Sequence, residues 1–245
     1  MIGFTAQDTI YASKKDEVPP FTFDEAVVTV FPDMIARSVP GYELLLPLIG
    51  QIAGRYAQPH SRCYDLGCSL GAVTLALRRQ IKQPGCRITA VDNSPAMIEQ
   101  CRHILARSDD GLPVDLVEAD ICQTPIRQAS VVVLNFTLQF VPPARRDALI
   151  QRIYAGLLTG GVLILSEKVI FVPAELDDLL VTLHHDFKRA NGYSDLEISQ
   201  KRTALENVLI SETVPQHQAR LRAAGFASAD LWFQAFNFIS LLAIK

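Results

Sequence analysis

Tyr64-Asp65-Leu66-Gly67-Cys68-Ser69-Leu70-Gly71 runs a short apolar strand into a glycine turn, and Ala72 to Ile81 behind it reads as a helix. A turn this tight needs small residues where backbone must approach a bound molecule. The following helix points its free N–H groups and the positive end of its dipole into the same space. Asp65 adds a carboxylate able to receive an ammonium or to orient the loop. A purely structural turn has the same appearance, so the stretch takes its meaning from what surrounds it.

The same unit recurs downstream. Arg87 to Val91 is a strand ending in Asp92, and Pro95 to Ala106 is a helix with Ser94 as N-cap and Pro95 in the first helical position. Val114 to Glu118 is a strand leading to Asp120-Ile121. Ser130 to Leu134 is the run expected of a strand buried on both faces, and it ends in Asn135-Phe136. Pro142 to Leu157 reads as a helix stopped by Gly160-Gly161, and Val162 to Ser166 as the next strand. Upstream, Phe23 to Val39 and Tyr42 to Tyr56 read as helices broken by Pro40-Gly41. Residues 173–224 hold two or three helices, and Phe226 to Phe233 and Phe236 to Ile244 close the chain as two strands. The alternation predicts an α/β, Rossmann-like fold: a mostly parallel seven-stranded sheet, helices on both faces and an antiparallel C-terminal edge. Residues 1–20 read as a loose leader, and residues 21–245 as a single domain with a helical insertion near 173–224.

A chain of 245 residues can bury a large core without staples. Its net charge of −3 argues against a dedicated nucleic-acid binder, which needs a basic face. No apolar run reaches the ~20 residues of a membrane span, and Met1 to Pro20 lacks the apolar core of a secretion signal. The five cysteines form no C-x-x-C pair and are odd in number, which predicts buried thiols in a reducing cytoplasm rather than disulfides or a zinc site.

Four successive strand ends supply polar groups where such sheets bind ligands. Asp92 is placed to accept both hydroxyls of an unphosphorylated ribose, with Asn93 beside it. Asp120 and a neighbouring backbone N–H can read an adenine, with Ile121 packed on the ring, and Asn135 completes the set. The loop lacks the third glycine of a dinucleotide fingerprint, so NAD falls behind S-adenosyl-L-methionine (SAM). Gly67-Cys68-Ser69-Leu70-Gly71 also matches the nucleophile elbow of α/β-hydrolases. That reading needs several strands and an oxyanion loop upstream, and neither is evident.

The strand-end arrangement resembles the class I SAM-dependent methyltransferase superfamily. Longer blocks are similar to one family within it, the carboxy-S-adenosyl-L-methionine (carboxy-SAM) synthases. They are Phe31-Pro32-Asp33-Met34-Ile35, Arg37-Ser38-Val39-Pro40-Gly41-Tyr42, the glycine loop, Asp92-Asn93-Ser94-Pro95-Ala96-Met97-Ile98 and Val133 to Phe140. His184 to Ser194 and Ile198-Ser199-Gln200-Lys201-Arg202 extend the likeness, which runs from about Phe21 to the C-terminus. The leader departs from the pattern, and Leu158-Thr159-Gly160-Gly161 stands where the family tends to have Asn-Pro-Gly-Gly.

The resemblance implies an enzyme that converts SAM and prephenate to carboxy-SAM and phenylpyruvate. Prephenate would lose carbon dioxide and hydroxide, the hydroxide would deprotonate the SAM methyl, and the resulting ylide would capture the carbon dioxide. It implies a cytoplasmic homodimer that touches neither membrane nor nucleic acid and passes its product to a tRNA carboxymethyltransferase for wobble-uridine modification. The implied cofactor site is Tyr42, Gly67, Cys68, Ser69, Asp92, Asn93, Asp120, Ile121, Asn135 and Arg202, with no metal. Of these, Arg202 and Tyr42 are the candidate catalytic residues, since a guanidinium fork and a phenol can hold the carboxylate that distinguishes carboxy-SAM from SAM. His184-His185-Asp186 reads as helix packing rather than a metal site, with His185 a lesser candidate for prephenate. An ordinary methyltransferase and a catalytically silent SAM-binding subunit are the alternatives.

Overall fold

The computed structural model describes residues 6–107 and 111–245. Two helices, α1 (Glu25–Ser38) and α2 (Tyr42–Tyr56), precede β1 (Arg62–Leu66), α3 (Ala72–Gln80), β2 (Arg87–Asp92), α4 (Pro95–Ala106), β3 (Val114–Glu118) and β4 (Ala129–Asn135). A short 3-10 turn at Leu138–Phe140 leads into α5 (Pro143–Gly156) and β5 (Leu157–Lys168). Three helices follow, α6 (Ala174–Ala190), α7 (Asp195–Leu205) and α8 (Val214–Ala224), and then β6 (Ser228–Ala235) and β7 (Phe238–Ile244).

The seven strands form one sheet in the order β3-β2-β1-β4-β5-β7-β6. The first five run parallel to one another, and β7 runs antiparallel to both β5 and β6. Strand order reverses between β1 and β4, which opens a crevice at their carboxyl ends. Alternate residues of the central strands serve opposite cores. Cys63, Ile88, Val131, Val133 and Ile164 meet Leu45 and Ile49 of α2 and Leu77 of α3. Leu66, Val132, Leu134, Leu163 and Leu165 meet Leu149, Ile150 and Ile153 of α5 and Leu221 of α8. The expected caps form: Ser94 Oγ accepts from Met97 N at 3.2 Å and donates to Phe23 O at 2.6 Å, which ties α4 to the N-terminal segment. Among the described residues no helix is long and apolar enough to cross a membrane, and all five cysteines are buried and free.

Two expectations need correction. Gly160-Gly161 does not stop a helix. Helix α5 ends at Gly156, where an added Cβ would lie 2.3 Å from Ile126 O, and Leu157 already pairs with Ala129. Both glycines lie inside β5, next to a register shift between Ala129 and Val131. Glycine marks a strand irregularity as readily as a helix end, and periodicity alone does not distinguish them.

The leader is also not loose over its described part; residues 1–5 of it lie outside the described residues. From Asp8 on, its polar groups have partners in α1 and in the helical insertion. Asp8 N donates to Asp33 at 2.7 Å, and the buried Asp8 carboxylate accepts from Tyr193 Oη at 2.6 Å. Gln200 of α7 donates to Tyr11 O and Ser13 O, both at 2.9 Å, and accepts from Lys15 N at 2.8 Å. A polar composition carries no sign that its groups will be satisfied 185 positions away.

Below the sheet's carboxyl end, the fully buried Arg146 of α5 donates to the carbonyls of Gln139, Val141 and Ile210 and pairs with Glu212 at 2.6 Å. Arg220 joins the same carboxylate at 2.7 Å. Burial pushes Glu212 up, but the bonds from Arg220 and Arg146 outweigh it and hold the group down at about 2. Its folded value is therefore depressed, and its stabilisation is present at neutral pH and lost as pH falls from 4.5 toward about 2. Glu212→Gln should cost about 3 kcal/mol at pH 7, the low end for removing one partner of a buried pair, since Arg146 keeps its carbonyls. Urea unfolding of the two proteins at pH 7 checks this, and equal midpoints would show that the pair adds nothing.

Candidate functional site

The glycine loop is held open by backbone geometry. Gly67, Ser69 and Gly71 all have positive φ, at 81°, 47° and 83°. Gly67 N and Cys68 N donate to Val91 O at 2.8 and 2.9 Å, which draws the loop over the end of β2. A Cβ on Gly67 would lie 2.3 Å from Thr137 Cγ2, so this position must be glycine for the loop to sit beside the end of β4. Asp65, under the loop, accepts from Thr74 Oγ1 of α3 at 2.6 Å. This bond ties the end of β1 to α3 across the loop. Burial pushes the Asp65 carboxyl up to about 7.

Asp92 is fixed by main-chain donors, Oδ2 accepting from Ser69 N at 2.8 Å and Oδ1 from Ser94 N at 2.9 Å. Burial raises its pKa, and these N–H bonds oppose the rise. Asn93 beside it is exposed. Asp120 Oδ1 accepts from Cys122 N and Oδ2 pairs with Arg145, both at 2.8 Å. Burial pushes Asp120 up, but Arg145 and the Cys122 N–H hold it below the usual carboxylate value. Ile121 is buried beside it. At the end of β4, Asn135 Oδ1 is buried with no hydrogen-bond partner. Phe136, at φ 59°, places its ring 6.4 Å from that of Tyr42 and 5.8 Å from that of Phe238.

These elements surround one cavity of about 1360 Å³. Tyr42, Gly67, Cys68, Ser69, Asp92, Asn93, Asp120, Ile121, Asn135 and Arg202 all line it. Tyr42 enters from the first turn of α2, where burial and the charge of Asp65 raise its phenol pKa, so it stays a protonated donor. Arg202 enters from the last turn of α7, and it forms no ion pair or hydrogen bond among the described residues. Phe21, Phe23 and Phe140 supply an aromatic wall. The arrangement can therefore take a ligand with a hydroxyl-rich part at Asp92, a donor at Asn135 and an anionic group at Arg202.

Sequence reading missed a cationic wall. Lys168, Lys188 and Lys201 line the same cavity as Arg202. Lys201 adjoins Arg202, and Lys188 lies one turn beyond His184, but such spacings describe a solvated helix face equally well. His184 does act in packing: Nε2 lies 2.8 Å from Ser38 O, the ring stands edge-on to Phe238, and burial holds its pKa down to about 3. His185 is partly exposed next to it. No group of His, Cys, Asp and Glu side chains that could hold a metal occurs among the described residues.

The model of a methyltransferase domain family matches residues 64–161. The fold is shared with human N-acetylserotonin methyltransferase in complex with SAM, at a TM-score of 0.59 and 17% identity over 90% of this chain and 55% of that one. Magnesium protoporphyrin IX methyltransferase from Synechocystis with bound SAH gives 0.60 and 15%, over 86% and 87%. Curated relatives are much nearer. A carboxy-S-adenosyl-L-methionine synthase from Trichlorobacter lovleyi is 64% identical over 97% of this chain and 98% of its own length. One from Aeromonas hydrophila is 63% identical over 98% and 96%. Identity at this level over both full lengths, on a methyltransferase fold with strand-end polar groups around one cavity, settles the family: the chain belongs to the carboxy-S-adenosyl-L-methionine synthases.

Proposed function

We propose that this protein makes carboxy-SAM from SAM and prephenate, releasing phenylpyruvate and water. The observation that carries the reading is Arg202, an unpaired guanidinium on the wall of the cavity that also holds the strand-end acceptors. SAM has one carboxylate, on its amino-acid end, and carboxy-SAM adds a second beside the sulfonium; a free guanidinium fork on this wall supports a ligand that brings the extra anion.

The residues present fit the nucleoside. The orphaned Asn135 Oδ1 needs a donor from a ligand, and Gly67, packed against Thr137, lets the loop sit with its backbone on the cavity. Asp92, locked by two N–H groups, presents its remaining lone pairs to the ribose hydroxyls. Asp120 and the buried face of Ile121 take the adenine. When bound, the sulfonium supplies an acidified methyl group as the carbon to be carboxylated. Tyr42 donates from its hydroxyl and Arg202 forks onto the new carboxylate. The aromatic wall excludes bulk water, so that the hydroxide expelled by prephenate takes a proton from that methyl and leaves as water, and the carbon dioxide released with it bonds to the resulting ylide carbon before it escapes.

The product is consumed by a tRNA carboxymethyltransferase acting at wobble uridine, and the enzyme works as a cytoplasmic homodimer. Exposed Ile170, Val172, Leu176 and Leu179 offer an apolar surface that supports such pairing. The reading is tested by weighing the nucleoside released when the purified protein is denatured. It should be heavier than SAM by one carboxyl group. Recovery of SAM alone, from cells that make prephenate, would speak against the synthase.

A further inference from the structure

Three lysines from three elements converge on one wall of the cavity: Lys168 at the end of β5, Lys188 on α6 and Lys201 on α7. Lys188 and Lys201 are each only 7% exposed, and their Nζ atoms both lie 5.9 Å from the centre of the Tyr193 ring. Arg202 is close enough to bear electrostatically on Lys168. Few carboxylates balance them: Asp33 acts on Lys201 and Asp177 on Lys168, but neither closes an ion pair with a lysine of this wall among the described residues. Among the described residues, only Asp8 comes within ion-pair distance, 3.8 Å from Lys201, and its carboxylate already accepts from Tyr193 Oη. Buried ammonium groups without counter-ions are costly. Burial and the neighbouring cations Lys201 and Lys168 push Lys188 down to about 7, and burial lowers Lys201 to about 8 despite Asp8. A wall that keeps this much uncompensated positive charge beside a ligand cavity is poised to receive anions from the ligand.

We propose that Lys168, Lys188 and Lys201 form the subsite that binds the carboxylates of the anionic co-substrate, and that this wall selects a dicarboxylate. The assignment rests on the prephenate reading above. Arg202 then serves the carboxylate added to SAM, while the lysines hold the donor from which that group comes. The lysines are positioning and specificity residues, with no bond made or broken at them.

The test uses the SAM-loaded protein and the variants Lys168→Met, Lys188→Met and Lys188→Arg. SAM affinity should be unchanged in all of them. The KM for prephenate should rise about ten- to a hundredfold in Lys188→Met, as expected for a lost charge-assisted hydrogen bond, and Lys188→Arg should recover much of it. Lys188→Met should melt no lower than wild type without co-substrate, because an unpaired buried cation has been removed. Calorimetry with malonate, a simple dicarboxylate, should show binding to wild type and its loss in Lys188→Met. If wild type turns over prephenate and Lys188→Met leaves its KM unchanged, the subsite is overturned and the synthase reading stands. If wild type does not use prephenate, that reading falls, and malonate binding lost in Lys188→Met still supports the subsite. Malonate that binds neither protein, or both alike, overturns the subsite. So does loss of SAM affinity together with prephenate affinity in Lys188→Met.

Discussion

Arg202→Ala should bind SAM nearly as well as wild type and lose carboxy-SAM affinity by about 2 kcal/mol or more, roughly thirtyfold. The two ligands differ by one carboxylate, and Arg202 is a cavity guanidinium with no ion pair or hydrogen bond among the described residues. The estimate sits at the low end for a truncated charge pair because Arg202 is exposed in the free protein and Lys168 remains nearby. Arg202→Lys should recover part of the loss, since an ammonium cannot reproduce the planar fork. Activity with prephenate should fall in the same order, because the carboxylate forms during the reaction. Calorimetry with both ligands on each variant decides it. Equal weakening of both would make Arg202 a general SAM-binding or structural residue, and no weakening would leave it a solvated helix charge.

Gly67→Ala should reduce SAM affinity by about a hundredfold, roughly 3 kcal/mol, from two added costs. An L-residue at φ 81° is strained by about 1–2 kcal/mol. The new methyl also meets Thr137 Cγ2 at 2.3 Å and Oγ1 at 2.4 Å, so the loop must move. Moving it breaks the Ser69 N–H bond that orients Asp92 and withdraws the backbone surface from the ligand. Combining Gly67→Ala with Thr137→Ala removes those two atoms and leaves Thr137 Cβ, at 3.0 Å, as the next obstacle. The double variant should therefore recover the steric part of the loss but not the part due to φ. Thermal melting confirms that both variants fold. Unchanged SAM affinity in Gly67→Ala would show that the ligand does not approach this turn.

The sheet was legible because its signals are local. Tyr64 to Gly71 declares a strand, turn and helix, and Ser130 to Leu134 declares a strand buried on both faces, a reading the structure bears out at 0% exposure from Ser130 through Leu134. The strand ends Asp92, Asp120 and Asn135 were legible for the same reason, since parallel topology brings them to one edge. What was hidden depends on distant partners. Asp8 looks like a leader residue until Tyr193 and Lys201 are folded against it. Lys168, Lys188 and Lys201 are ordinary surface lysines in the sequence, and only the packing of β5, α6 and α7 brings them to one cavity wall, burying Lys188 and Lys201 and half-burying Lys168. Gly160-Gly161 misled because the register shift that uses them is a property of β4 and β5 together.

Whether the carboxyl group comes from prephenate is decided by isotope labelling. Purified protein should be given SAM and prephenate labelled at its ring carboxyl, in medium containing unlabelled bicarbonate, and the products weighed. Carboxy-SAM should carry the label, with phenylpyruvate formed in equal amount. Carboxy-SAM that draws its carboxyl mainly from bicarbonate, or SAM left unchanged while prephenate is present, would contradict a prephenate origin.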